Sequence, residues 1–428
     1  MKGSKTLLAI AVLAIGMTAG SASAFEFHGY FRSGIGVNTK GGGMVCFQNP
    51  GSFYKFRLGN ECETYGELQF DEMVFKGKDG VEFKYTGMLG MATTQVADFE
   101  NLASPQNHIS LRQNFVAAKL PQLGGASIWL GKRYYHRNDI HMIDFFYWNP
   151  SNPGGGIEDV DLGIGKFAFA LFANGNQPKS NTITSDIRVY EIGVNPGGAL
   201  ELGVDLGFTV DQPCAAGATT STNGCRLAGS NRQAVSPMFV IQHFQNGFLG
   251  GFNKAAFEWG SGSQANADGS GNFGGGTSDD KQWRVVEHLQ FQPIPEFSGS
   301  IVFTYQDIKN AAGGGAKGWG AGIRPVVHLS DYFKVQGEFG YNSWTVKGVN
   351  GAADADANGL FKATIMPTLV AGGTYWSRPE LRLFVTYASW NDAAQAASLA
   401  NNGSGIAGGA FGTSKSGATV GAQVEAWW

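Results

Sequence analysis

The chain has 428 residues and a formal net charge of -3 at pH 7; glycine (64 residues) and aromatics (13%) are abundant, while only 15% of residues are charged. So few charges are unusual for a soluble domain of this size, and there is no basic domain with which to grip nucleic acid. No segment approaches the ~20 consecutive apolar residues of a membrane-spanning helix.

Lys2 and Lys5 precede an apolar run from Leu7 to Met17, and Ala22-Ser23-Ala24 offers a small-residue cleavage site. Residues 1–24 read as a secretory signal peptide and residues 25–428 as a single mature domain beginning at Phe25. An exported, glycine-rich and aromatic-rich chain without a helical anchor points to an outer-membrane barrel.

From Phe25 onward the recurring pattern is alternation, which sends successive side chains to opposite faces of a strand. In FEFHGYFRSGIG, the odd positions Phe25, Phe27, Phe31 and Ile35 are apolar, leaving Tyr30 on the side of Glu26, His28 and Arg32. In KFRLGNECETYGELQF, the even residues Phe56, Leu58, Leu68 and Phe70 are apolar, so Tyr65 lies with Arg57, Glu63, Glu67 and Gln69. Leu200 to Val210 alternates with Glu201, Asp205 and Thr209, and GFNKAAFEW puts Phe252 on the parity of Lys254 and Glu258. The stretches Gly262 to Asp280, Gly313 to Gly315 and Ala400 to Gly417 are turn-rich, and the longer ones read as external loops. Phe333, Val335, Phe339 and Tyr341 alternate with Lys334, Gln336 and Glu338, and Leu381, Leu383, Val385 and Tyr387 alternate with Arg382 and Thr386. In the terminal VGAQVEAWW, Trp427 shares the parity of Glu425 and Gln423, and the chain ends on an aromatic, as the last strand of outer-membrane barrels commonly does. At ~10 residues per strand, with short turns alternating with long loops, the mature length suits roughly 16 to 18 antiparallel strands.

Cys46 and Cys62 form one close pair in sequence and Cys214 and Cys225 another. In an oxidising compartment two local disulfides are the simplest reading, although four cysteines allow three pairings. No Cys-x-x-Cys zinc spacing occurs and no cofactor is called for. Asp354-Ala355-Asp356-Ala357-Asn358-Gly359 resembles the first half of a calcium loop, but Ile365 stands where a bidentate Glu is needed, so incidental Ca²⁺ is the most it suggests. His136 and His141 lack a third ligand and read as hydrogen-bonding residues of the channel wall.

The aromatics on the polar parity suggest a surface for sugars: a pyranose C–H face lies on a ring while its hydroxyls reach ionised partners. Eight segments carry a family resemblance: FHGYFRSGIG, YKFRLGNECETYGEL, IWLGKRYYHRNDIHMIDFFYW, VNPGGALELGVDLG, GFNKA, GIRP, WSRPELRLFVTYASW and GAQVEAWW. Through them the chain resembles the maltoporin family over almost its whole mature length. The resemblance implies a homotrimer of 18-stranded transmembrane β-barrels in the bacterial outer membrane, passing maltose and maltodextrins along an aromatic slide. It implies Tyr30, Tyr65, Phe252, Trp376 and Trp427 as slide residues, with Trp376 keeping the parity of Arg378 and Arg382 across Pro379. It implies Arg32, Arg57, Glu67, Arg112, Arg137, Asp139 and Asp144 as the polar track, and Cys46–Cys62 as the disulfide of the first loop. Phe146 stands where the family has a constriction tyrosine, and Phe99 where it has the first tryptophan of the slide, supplied by a neighbouring subunit; both keep an aromatic face and lose a hydrogen-bonding group.

A general or differently selective porin, for instance for sucrose, is the nearest alternative. An enzyme is not expected, since no Gly-x-Ser-x-Gly occurs; carboxylates such as Glu67 and Asp144 leave a glycosidase conceivable, which assaying maltodextrin cleavage tests.

Overall fold

The computed structural model describes residues 25–94, 107–174, 182–209, 233–267, 276–311, 313–400 and 410–428, with residues 98, 100, 216, 269 and 406 between them. Phe99, Cys214, Cys225, Val210 and residues 1–24 lie outside the described residues.

Eighteen strands form one antiparallel sheet. Each pairs with its neighbours along the chain, and the last, Ser416–Trp427, closes on the first, Glu26–Asn38. Alternation sets the faces. In Glu380–Trp390 the side chains of Leu381, Leu383, Val385 and Tyr387 are exposed, while Arg382, Phe384 and Thr386 are buried. A sandwich would cover those apolar residues with a second sheet; here Leu383 stays 63% exposed on an outer wall that suits lipid. Leu202 also points outward and Asp205 inward, as the alternation predicts. The strands exceed ten residues in places, reaching 16 in Gly315–Ser330. At about 3.3 Å per residue such a strand outruns an apolar band of about 25 Å even when tilted, so the wall projects beyond the membrane.

Tight turns lie at the end that carries both described termini, and long segments at the other. Two of the long segments, residues 39–63 and 133–152, fold into the barrel. The second carries a small hairpin, Asn138–Ile140 with Phe145–Trp148, around the turn His141–Ile143. The two segments meet inside: the Lys55 N–H donates to the Ile143 carbonyl at 3.4 Å and the Arg57 N–H to that of Met142 at 3.2 Å. Side chains tie both to the wall. Asn49 Nδ2 donates to the carbonyl of Asn358 at 3.0 Å, Lys362 Nζ to that of Leu58 at 2.7 Å, and Trp148 Nε1 to Asp205 Oδ2 at 2.8 Å. The principal core therefore sits within the barrel, where Tyr54, Phe56, Ile140, Met142, Phe145 and Trp148 pack on Met238, Val240, Val286 and Val302 of the wall.

Two expectations are corrected, and one element is new. Phe56 and Leu58 do not continue the outer face of a strand, because that strand begins only at Thr64; both side chains are buried inside. The Phe56 ring lies on the cross-strand pair Gly322 and Gly340, where an added Cβ would come within 2.2 and 2.4 Å of it. The segment from Gly262 to Asp280 is not wholly external: it starts with the buried turn Gly262–Gln264, and Arg284 Nη1 donates to the Ala267 carbonyl at 2.8 Å. A short helix, Asp392–Ala400, was not anticipated; Ala394 packs with Phe47, Trp390 and Phe411.

Candidate functional site

Four of the expected aromatics form a continuous band on the inner wall. The Tyr65 and Tyr30 rings are 6.1 Å apart between centroids, Tyr30 and Trp427 stack at 6.5 Å, and Trp427 and Trp376 are 6.4 Å apart. Register explains the first three: Arg32 pairs with Tyr65 and Tyr30 with Trp427 across the junction of the first, second and last strands. Trp376 arrives differently. It precedes the strand Glu380–Trp390, so its place comes from the connecting segment and not from strand parity, correcting that part of the expectation. Phe252 lies apart, on the strand Gly251–Ser261, with its ring edge-on to His288 at 5.1 Å. It stacks at 5.4 Å on Phe244, which shares the inward parity of Gln242 and remains 36% exposed.

Charged groups line the band. Arg57 Nη2 donates to the Tyr30 hydroxyl at 2.7 Å, and that hydroxyl donates to Glu425 Oε1 at 3.0 Å. Glu425 also receives Arg378 at 2.7 Å and Arg382, and lies 3.4 Å from His141 Nε2. Arg378 lies 4.1 Å over the Trp427 ring and Arg32 5.1 Å over Tyr65. Arg32 and Arg57 share Glu61 at 3.0 and 2.7 Å. On the inward hairpin, burial and the nearby Arg57 guanidinium hold the His141 imidazole below its usual range, so it is neutral between the rings of Trp376 and Trp427.

The remaining polar residues gather at the second inward segment. Glu67 Oε1 accepts the Tyr65 hydroxyl at 2.6 Å and the Tyr134 hydroxyl at 2.7 Å, with Arg112 Nε 3.9 Å away. The Arg137 guanidinium lies 3.4 Å over the Tyr134 ring and 4.7 Å over Phe146. Lys254 Nζ donates to the Asp139 carbonyl at 3.2 Å, and Asp144 adopts a left-handed backbone (φ 53°) that closes the hairpin turn. The arrangement offers a stripe of π-faces beside paired charges, suited to ligands with apolar faces and many hydroxyls. Sequence reasoning missed Tyr134, Phe244, Glu61 and Arg378 as members of it. For Phe244 alternation would have sufficed; for Tyr134, in an irregular segment, no periodic signal exists.

Cys46 and Cys62 are joined by a disulfide, with Cα atoms 5.9 Å apart. His136 Nε2 lies 3.1 Å from Glu158 Oε2. Asp354 pairs with Lys317 at 2.9 Å, and Ile365 points outward from a wall strand, so the calcium-like segment does not wrap into an ion cage. Glu26, His28 and Asp71 approach one another, but the Lys84 ammonium lies between the same carboxylates, 2.9 Å from Glu26 and 3.6 Å from Asp71.

Among solved structures, the chain is similar to OmpF of Salmonella typhi in complex with daunomycin, at 12% identity and a TM-score of 0.44, covering 94% of this chain and 97% of that one. It is also similar to OmpT expressed in the outer membrane of Vibrio cholerae, at 9% identity and a TM-score of 0.42, covering 96% and 100%. The LamB porin family model matches residues 25–428, the whole barrel. The chain belongs to the LamB porin family, and is thus a sugar porin of the bacterial outer membrane, a channel and not an enzyme.

Proposed function

We propose that this porin conducts maltose, maltodextrins or closely similar oligosaccharides by facilitated diffusion, as a homotrimer, along the path Tyr65, Tyr30, Trp427, Trp376 and Phe252, with Phe99 of a neighbouring subunit at its outer end. The observation that carries the reading is the unbroken spacing of 6.1 to 6.5 Å from Tyr65 to Trp376. A sugar stacked on one ring meets the next before it leaves the first, so its apolar face stays covered while hydroxyls exchange partners among Arg32, Arg57, Glu67, Arg112, Arg137, Asp139 and Asp144. No single deep well forms, which favours flux over retention.

Each aromatic contact is worth about 0.5–1.5 kcal/mol beyond burial, or about two- to tenfold in affinity. Tyr65→Ala or Trp427→Ala therefore lowers maltodextrin block of the single-channel current by that factor, with the open current equal or higher. Unchanged block in both variants, in folded trimers, rules out the aromatic path. Selectivity for another oligosaccharide such as sucrose is the second reading, favoured by Phe146, which presents no hydroxyl at the constriction; comparing block by sucrose and by maltodextrins in the wild type and in Phe146→Tyr separates the two.

A further inference from the structure

We propose that Tyr134 is a specificity-determining positioning residue of this channel, holding Glu67, Arg112 and Arg137 in the arrangement that a passing oligosaccharide meets; the proposal rests on the sugar-channel reading above. Tyr134 follows the wall strand Ala126–Lys132, and its backbone N–H donates to Gln113 Oε1 at 3.0 Å, which ties it to the barrel wall at the root of the inward segment. From there its side chain makes two kinds of contact, each with a separate consequence.

The first is through the phenol oxygen. It donates to Glu67 Oε1 at 2.7 Å and accepts from Arg112 Nε. Glu67 Oε1 already takes the Tyr65 hydroxyl at 2.6 Å, so the band and the constriction segment converge on one carboxylate oxygen. Among the described residues no protein hydrogen bond reaches Glu67 Oε2. A carboxylate offers about four acceptor sites; with Oε1 occupied by two phenols, Oε2 is left as a fixed acceptor for a sugar hydroxyl beside Tyr65. Arg112, held at Nε, keeps 40% of its side chain exposed and presents its outer nitrogens as donors.

The second contact is through the ring. Arg137 lies 3.4 Å and Arg112 5.2 Å over it, and Phe146 covers Arg137 at 4.7 Å. Two guanidiniums this close repel each other, and the π-face of Tyr134 attracts both. Position 146 carries no hydroxyl, yet on the other side of Arg137 the hydroxyl of Tyr134 is present and bonded. The hydrogen-bonding group beside Arg137 thus comes from the root of the inward segment and not from the hairpin strand Phe145–Trp148. An inert wall filler would need the ring and not its oxygen.

The test uses block of single-channel current by maltohexaose in the full-length protein in planar bilayers, with the heat resistance of the trimer as a folding control. Tyr134→Phe keeps the ring and removes both hydrogen bonds; the blocking concentration should rise about two- to tenfold. Because the hydroxyl acts on Glu67 as well as on Arg112, the double variant Tyr134→Phe/Glu67→Gln should lose less block than the two single losses combined. Tyr134→Ala should in addition shift the reversal potential in a salt gradient, since Arg137 loses its ring. Wild-type block by Tyr134→Phe, or losses that simply add in the double variant, overturns the proposal. If Trp427→Ala weakens block while Tyr134→Phe does not, only Tyr134 loses its role; if neither maltohexaose nor sucrose blocks the wild type, the sugar path falls and this proposal with it.

Discussion

Phe56 lies flat on the backbone of Gly322 and Gly340, and no side chain fits at either glycine while the ring is there. Gly340→Val should expel the ring and loosen the first inward segment, seen as a noisier and larger open-channel current; Phe56→Ala in the same background should restore part of the quiet baseline by vacating the space. Glu61 makes a different kind of anchor. Burial alone raises its carboxyl, but Arg57 and Arg32 outweigh burial and bring it from 4.5 to about 2. A depressed folded-state value means that the ionised group stabilises the fold at pH above 4.5 and that this stabilisation is lost as pH falls towards 2. Sugar block followed through that range should weaken, and Glu61→Gln should show a smaller acid step; an undiminished step in the variant would assign the effect to other carboxylates. At this scale the sequence was readable wherever a residue belonged to a strand. Tyr30, Tyr65, Phe252 and Trp427 lie on the faces that parity indicates, whereas Phe56 and Leu58 misled because parity has no meaning before Thr64, where the strand starts. Trp376 reached the band although it belongs to no strand, so alternation gave the right neighbour for the wrong reason.

The inward segments are the elements least visible beforehand. Glycine- and asparagine-rich stretches ordinarily run over a surface, and nothing local shows that residues 39–63 turn into a cavity; the one hint is Phe47, Tyr54 and Phe56, too many large rings for a solvated loop. The disulfide Cys46–Cys62, spanning 16 positions, contributes about 3 kcal/mol to holding this element in the chain-entropy account. The hydrogen bonds from Asn49 and Lys362 hold it as well. Cys62→Ser should therefore leave a channel that inserts and conducts, with raised current fluctuation and faster proteolysis between residues 39 and 63. A silent or collapsed channel would show that the crosslink alone maintains the element. Peptide mapping without reduction should find Cys214 joined to Cys225, and crossed pairing would refute that assignment.

For the molecule as a whole, alternation, an aromatic terminus and the scarcity of charge were enough to give the barrel class, because a closed sheet in lipid permits few other patterns. The exact strand number came only from the family resemblance, since long loops blur the count. The outer wall makes a direct prediction: Leu383→Arg places a charge on the apolar face, which costs about 2–4 kcal/mol near the bilayer midplane. Insertion of the folded barrel into the membrane should fall accordingly, and undiminished insertion would place Leu383 outside the hydrocarbon.

The junction of the first and last strands has a further consequence for biogenesis. The Tyr30 hydroxyl and Glu425 Oε1 are 3.0 Å apart in space and 395 residues apart in the chain. Contacts of such long range are slow to form, and here the ribosome must finish the polypeptide before they can exist at all. Tyr30, Arg57, Trp427 and Glu425 all meet at this seam. A nascent, truncated or unzipped chain thus has the aromatic band cut in two, and on the proposed function sugar block becomes a direct report that the cylinder has closed.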